Sequence, residues 1–299
     1  MKITLCRALC VAMLAAAGCS TSHERSSGAP GDRAAKSRFA QYGTNKVHYV
    51  VEGTGRHTLV LVHCWSGNLG FWREQAPVLA KEAKLVLIDL PGHGQSDKPH
   101  TAYTMDFLAG AVLAVMDDAH VKRATLVGHS MGAPVICRVY HQAPQRVAAL
   151  VSVDGLLRRP DMPADQASQF VNQFTGEDYR EKTRVGMGAL FAPGKEAVRD
   201  RVISEMLQTP QYVMVSAMKG MFNSDQPDWD PKHADVPVLA LNAPNPMWTD
   251  EYQKYVASLS SQTDYRTIPG TGHWLMLEKP SEFNTNLTEM LKRFDLIGP

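Results

Sequence analysis

The residues of this chain best spaced for chemistry are Gly128-His129-Ser130-Met131-Gly132, which follow the apolar run Thr125-Leu126-Val127 and precede a stretch of helical spacing. A serine between two such glycines at a strand-to-helix turn reads as a nucleophile. Side chains two residues to either side would collide there, and the serine itself must accept a strained backbone. A hydroxyl attacking a carbonyl needs a histidine to take its proton and later protonate the leaving group, and backbone amides to hold the oxyanion. With glycine and serine each near 7% of residues, the bare pattern arises by chance in about one chain in ten of this length. Its weight therefore comes from the strand before it and the helix after it.

Those elements follow from the spacing of apolar residues. Short aliphatic runs bounded by Gly, Pro, Asp or Asn occur at residues 47–51, 59–63, 85–90, 124–128, 148–153, 236–241 and 265–268. Several are apolar at every position, as strands buried on both faces must be. Helical spacing fills the intervals at 106–117, 133–142, 250–259 and 281–294. Alternating strand and helix predicts an α/β fold with a mostly parallel, doubly wound sheet covered on both faces. The interval 156–232 breaks the alternation, with helical pieces at 165–174 and 197–207 and no convincing strand. It reads as an inserted helical cap between core segments 39–155 and 233–299. Within it Met162, Met187, Met206, Met214, Met218 and Met221 suit an apolar pocket of imprecise shape, although most such residues serve only to pack a cap on its body.

Composition narrows the ligand class by exclusion. The 299 residues are 44% hydrophobic and 20% charged, with 31 Lys and Arg against 30 Asp and Glu, so no charge excess recommends nucleic acid or an acidic partner. Of eleven histidines, His48, His57, His100, His120, His141 and His233 lie in polar or helical surroundings and read as surface residues, while His93 and His129 read as turn and packing residues. No cluster has metal-ligand spacing, so neither a metal nor another cofactor is expected.

Three further segments carry a resemblance. His63-Cys64-Trp65-Ser66-Gly67 directly follows Leu59 to Val62, Asp89-Leu90-Pro91-Gly92-His93-Gly94-Gln95-Ser96 begins at the end of the run at 85–90, and Gly270-Thr271-Gly272-His273-Trp274 follows the last. Together with the serine motif these resemble the α/β-hydrolase fold family over residues 40–299, the cap excepted. The resemblance implies His273 as the catalytic histidine and the backbone N–H groups of Trp65 and Met131 as the oxyanion hole, with His63 bonding locally to hold that loop. Cys64 stands where the family commonly has glycine. Much of the family carries its acid after the strand matched by 236–241, but here Asn242-Ala243-Pro244-Asn245-Pro246-Met247-Trp248 follows and no carboxylate appears before Asp250. A second family arrangement places the acid one strand earlier, where Asp154 ends the run at 148–153. Asp154 is preferred to Asp250, which would instead cap a helix.

The implied activity is that of a serine hydrolase acting on a carboxylic ester or related acyl compound through a Ser130-His273-Asp154 triad, with a small, uncharged, apolar substrate. Carbon–carbon bond hydrolases and perhydrolases share the triad and remain open. So does a non-catalytic ligand-binding lipoprotein of the same fold. Haloalkane dehalogenases and epoxide hydrolases are disfavoured, because they use an aspartate where this chain has Ser130.

The N-terminus adds an address. Lys2 and Arg7 precede an apolar run over residues 8–17, too short to span a bilayer, so residues 1–18 read as a signal peptide. Its end, Ala16-Ala17-Gly18-Cys19, resembles the lipobox of bacterial lipoproteins. That resemblance implies lipidation at Cys19 and, with Ser20 next, an outer-membrane location; ordinary cleavage to a soluble periplasmic protein is the alternative. Loss of the leader turns the formal charge from +1 to −1. Residues 19–38, rich in Ser, Gly, Ala, Arg and Pro, read as a flexible tether. Cys64 and Cys137 read as buried small hydrophobes rather than a disulfide.

Overall fold

Consecutive aliphatic residues cannot lie on a sheet with one wet face, and in the computed structural model, which describes residues 36–222 and 226–298, the central runs are strands covered on both sides, whereas the run at 265–268 falls largely on a half-exposed edge strand. The strands are β1 (Lys36–Tyr42), β2 (Asn45–Glu52), β3 (Thr58–Val62), β4 (Lys84–Ile88), β5 (Ala124–His129), β6 (Val147–Val153), β7 (Val238–Asn242) and β8 (Thr263–Thr267). They form one sheet in the order β1-β2-β4-β3-β5-β6-β7-β8, with β1–β2 and β2–β4 antiparallel. The other pairs are parallel. Every residue of β5 and β7 is buried. At about 1.5–3 kcal/mol for each fully buried aliphatic side chain, this central slab is the main source of stability.

The register aligns the carboxyl ends. Val62 pairs with both Ile88 and Gly128, His129 with Val153, and Val153 with Leu241. The segments that follow β3, β5, β6 and β7 therefore leave the sheet at one edge, where open parallel sheets place their sites.

The helices are α1 (Ala76–Leu79), α2 (Met105–Asp118), α3 (Gly132–Gln142), α4 (Ala164–Asn172), α5 (Tyr179–Gly188), α6 (Glu196–Met206), α7 (Gln211–Phe222), α8 (Asp250–Ser258), α9 (Leu275–Glu278) and α10 (Pro280–Arg293). Helix α3 packs on β5 and β6, and α2 packs on α3 and β1. Among the described residues four helices, α4 to α7, occupy the interval between β6 and β7. Among the described residues no helix is long and apolar enough to cross a membrane.

Three departures from the sequence reading have physical causes. The tether was expected to run through residue 38, but Lys36 already begins β1. Its polar sequence KSRFAQY carries no apolar run because an edge strand pairs on one side only. His48 is not a surface residue: it is 1% exposed on β2, with Nδ1 2.7 Å from Asp89 Oδ2, because the turn after β4 closes over it. Helices α5 and α7 were not anticipated, since α5 is polar with two glycines and α7 is apolar almost all round. The signal peptide, Cys19 and the tether up to residue 35 lie outside the described residues. Cys64 and Cys137 are free and buried.

Candidate active site

Ser130 sits between β5 and α3 with φ at +52°, in the left-handed region that side chains other than glycine rarely occupy. The flanking glycines are explained by contact. A Cβ on Gly128 would lie 2.3 Å from the Gly132 carbonyl oxygen, and one on Gly132 would lie 2.5 Å from that of Val62. The turn is pinned to the next strand by the Ser130 N–H, which donates to Val153 O at 2.9 Å.

The loop after β3 lies beside this turn. His63 is fully buried, its Nδ1–H donates to Cys64 O at 2.7 Å and its Nε2 accepts the Leu90 N–H at 3.0 Å, so one imidazole ties the segments after β3 and β4 together. The Trp65 indole N–H donates to Met214 O on α7 at 2.8 Å, fixing the loop to the helical segment above it. Among the described residues neither the Trp65 nor the Met131 backbone N–H donates to any protein acceptor, which leaves both available to an oxyanion. Burial pushes the Cys64 thiol up to about 12, so in the position usual for glycine it stays protonated and inert.

Asp154 follows β6 with φ at +44° and is 3% exposed. Its Oδ2 accepts from His273 Nδ1 at 2.6 Å, while its Oδ1 accepts the Ala243 N–H at 2.9 Å and the Trp248 indole N–H at 3.0 Å. A carboxylate saturated this way holds His273 in the Nδ1–H tautomer and leaves Nε2 as the proton acceptor. The histidine is fixed at its backbone too: its N–H donates to Leu190 O and its carbonyl accepts the His129 Nε2–H, both at 2.8 Å. Asp250 is exposed in the first turn of α8 and does not line the cavity that holds Ser130 and His273, and the cap of that helix is the Thr249 hydroxyl, which accepts the Tyr252 N–H. The loop after β7 thus supplies two N–H donors to the acid instead of an acid. Sequence reasoning missed Trp248 and the Ala243 amide, for which no local signal exists.

Ser130, Asp154, His273 and Trp65 line one cavity of about 220 Å³, walled by apolar residues that include Phe170, Met187, Leu190 and Met218 from the helical segment. Met206 and Met214 are packed in the core, and Met162 is partly exposed. A cavity of about 650 Å³ between α5 and α6 contains none of these site residues.

Three buried imidazoles near the site make the fold acid-sensitive. Burial holds His129, His93 and His63 below the ordinary imidazole value of 6.5, His129 well below it and His93 at about 3. The unfolded chain binds protons at these positions that the folded chain refuses. The stability these three rings contribute is therefore fully present above pH 6.5 and is lost as pH falls from 6.5 towards 3. Each group removes up to about 1.4 kcal/mol per pH unit in that window. Urea midpoints are expected to be flat between pH 7 and 8 and to fall steeply below pH 6. A midpoint unchanged from pH 7 to pH 5 would contradict the neutral, buried state of these rings.

A family model described as the alpha/beta hydrolase fold matches residues 57–280. The dihydrolipoyllysine-residue acetyltransferase component of the acetoin cleaving system of Pseudomonas putida is 29% identical over 245 residues; the match takes in 81% of this chain and 65% of the relative, so the chain spans just under two thirds of that protein. Pimeloyl-(acyl-carrier protein) methyl ester esterase of Edwardsiella ictaluri is 37% identical over 247 residues, covering 79% of this chain and 94% of the esterase. Among solved structures, a thermophilic esterase from Thermogutta terrifontis has the same fold, with a TM-score of 0.76 at 22% identity over 87% of this chain and 98% of that one.

Proposed function

The chain belongs to the alpha/beta hydrolase fold family, and from that premise we propose that it is a serine hydrolase cleaving a carboxylic ester of a small, uncharged, apolar acyl compound. The observation that carries this reading is the 2.6 Å contact between His273 Nδ1 and Asp154 Oδ2 at the wall of a cavity that also holds Ser130. In the proposed reaction Ser130 Oγ attacks the acyl carbon as His273 Nε2 takes its proton, and Asp154 stabilises the imidazolium. The amides of Trp65 and Met131 hold the oxyanion, His273 returns the proton to the departing alcohol, and water then resolves the acyl-enzyme by the same steps. The relationship to a methyl ester esterase supports an ester as substrate. The apolar walls support an uncharged group in the cavity. Attachment to the cell envelope through a lipidated Cys19 belongs to the same proposal and rests on the leader sequence alone.

The test is a series of p-nitrophenyl esters of increasing acyl length, assayed on the purified protein. Turnover is expected to be highest for short and medium neutral chains and to fall once the chain outgrows the cavity. A marked preference for anionic esters, or no turnover of any neutral ester, would overturn the proposal.

A further inference from the structure

We propose that Ser37 is a second nucleophilic site, a surface hydroxyl that takes up an activated acyl or organophosphorus group and keeps it. Ser37 is exposed on β1. Its Oγ lies 2.8 Å from His48 Nε2, and His48 Nδ1 lies 2.7 Å from Asp89 Oδ2. The imidazole and the carboxylate are buried, at 1% and 2% exposure. Asp89 also accepts the Leu69 N–H at 2.8 Å and the Gln95 N–H at 2.9 Å. Burial alone would raise its pKa, but the hydrogen bonds from His48 and from these two amides outweigh that and hold it below the ordinary carboxylate value. An ionised Asp89 takes the His48 Nδ1–H, which leaves the Nε2 lone pair facing the Ser37 hydroxyl. A general base is thereby preset on an accessible serine.

What Ser37 lacks determines what it does. It lies in an extended edge strand, where Ser37 pairs with Val50, and an extended backbone turns successive N–H groups to opposite sides, so two adjacent amides do not converge on one oxyanion there. Without an oxyanion site, attack succeeds only on donors whose leaving group departs easily. In that step the bond from Ser37 Oγ to the acyl carbon or phosphorus forms and the bond to the leaving group breaks with its electron pair. The hydroxyl proton passes to His48 Nε2 and from there to solvent or the leaving group. The resulting ester has no oxyanion donors to help water remove it, so the modification is stoichiometric and lasting. The inference does not depend on the reading of Ser130.

The experiment uses the Ser130→Ala protein, exposed in turn to a fluorophosphonate and to excess p-nitrophenyl acetate and followed by intact mass and peptide mapping. One adduct on Ser37 is expected, persisting after the donor is removed and absent when Ser37→Ala is added. His48→Gln in the same background is expected to slow adduct formation by at least about 100-fold, the loss of a general base. Because replacing a buried histidine can unfold the strand pair, a second arm leaves His48 intact. In Ser37→Cys the thiol at position 37 should be alkylated by iodoacetamide at neutral pH at least about tenfold faster than an ordinary cysteine, since an adjacent imidazole favours the thiolate. Ser37→Ala alone should leave ester turnover unchanged. The absence of an adduct at Ser37, a rate unaffected by a folded His48→Gln variant, or ordinary thiol reactivity at position 37 would each overturn the proposal and reduce the contact to a hydrogen bond that pins the edge strand.

Discussion

Ser130→Ala is expected to lower kcat on a simple ester by about 10⁴-fold or more, because the proposed reaction begins with that oxygen and nothing else in the cavity replaces it. Folding should be spared. Alanine keeps the Cβ that serine already places at positive φ, so the strain of the turn is unchanged, and the contacts that demand glycine at 128 and 132 are not disturbed. His273→Ala should cost a similar factor, and the double variant should be scarcely worse than either single one, since the two groups act in a single proton transfer. Steady-state kinetics with circular dichroism as the folding control decide the matter. Near wild-type activity in Ser130→Ala would remove the nucleophile, and additive losses would break the shared unit.

Asp154→Asn is expected to reduce kcat by at least about 10²-fold, with Asp250→Asn close to wild type. The reason lies in the donors around the carboxylate. An asparagine amide must keep its oxygen towards the Ala243 and Trp248 N–H groups, which can only donate, and this turns its NH₂ towards His273 Nδ1. The imidazole then carries its proton on Nε2 and cannot accept one from Ser130. Asp250 lies exposed in the first turn of α8 and does not touch the cavity, so its change should alter only the helix-dipole contribution, about 0.3–1 kcal/mol of stability. Assayed as folded proteins on the same ester, the reverse ranking would move the acid to the loop after β7.

The difference between these two aspartates shows where sequence reading stops. Ser130 was legible because the strand, the glycines and the following helix all lie within a few residues of it, and steric crowding at a tight turn is a local constraint. The central strands were legible for the same reason, since burial on both faces leaves a run of aliphatic residues. His273 was placed through a family motif after the last strand. The choice of Asp154 over Asp250, by contrast, could be ranked from the sequence but not seen. The contact joins residues 119 positions apart, and it depends on β6 lying beside β5 and on Trp248 reaching back over the strand ends.

Residues with no local signature behaved likewise. His48 was read as a surface residue, and only the turn after β4, which brings Asp89, and the edge strand β1, which brings Phe39 and Ser37, cover it. Ser37 stands in a polar stretch indistinguishable from tether, and only the β1–β2 register sets it against His48. By itself the sequence determined the alternation of strand and helix and the glycine-flanked turn at Ser130, because each arises from forces acting over one turn of helix or one pleat of strand, while the segment of His273 was reached through the family resemblance. The tertiary structure alone decided which carboxylate meets His273, which imidazoles are buried and which wall closes the cavity. Strand order and register bring distant residues within hydrogen-bonding range, and no pattern of neighbours along the chain encodes either.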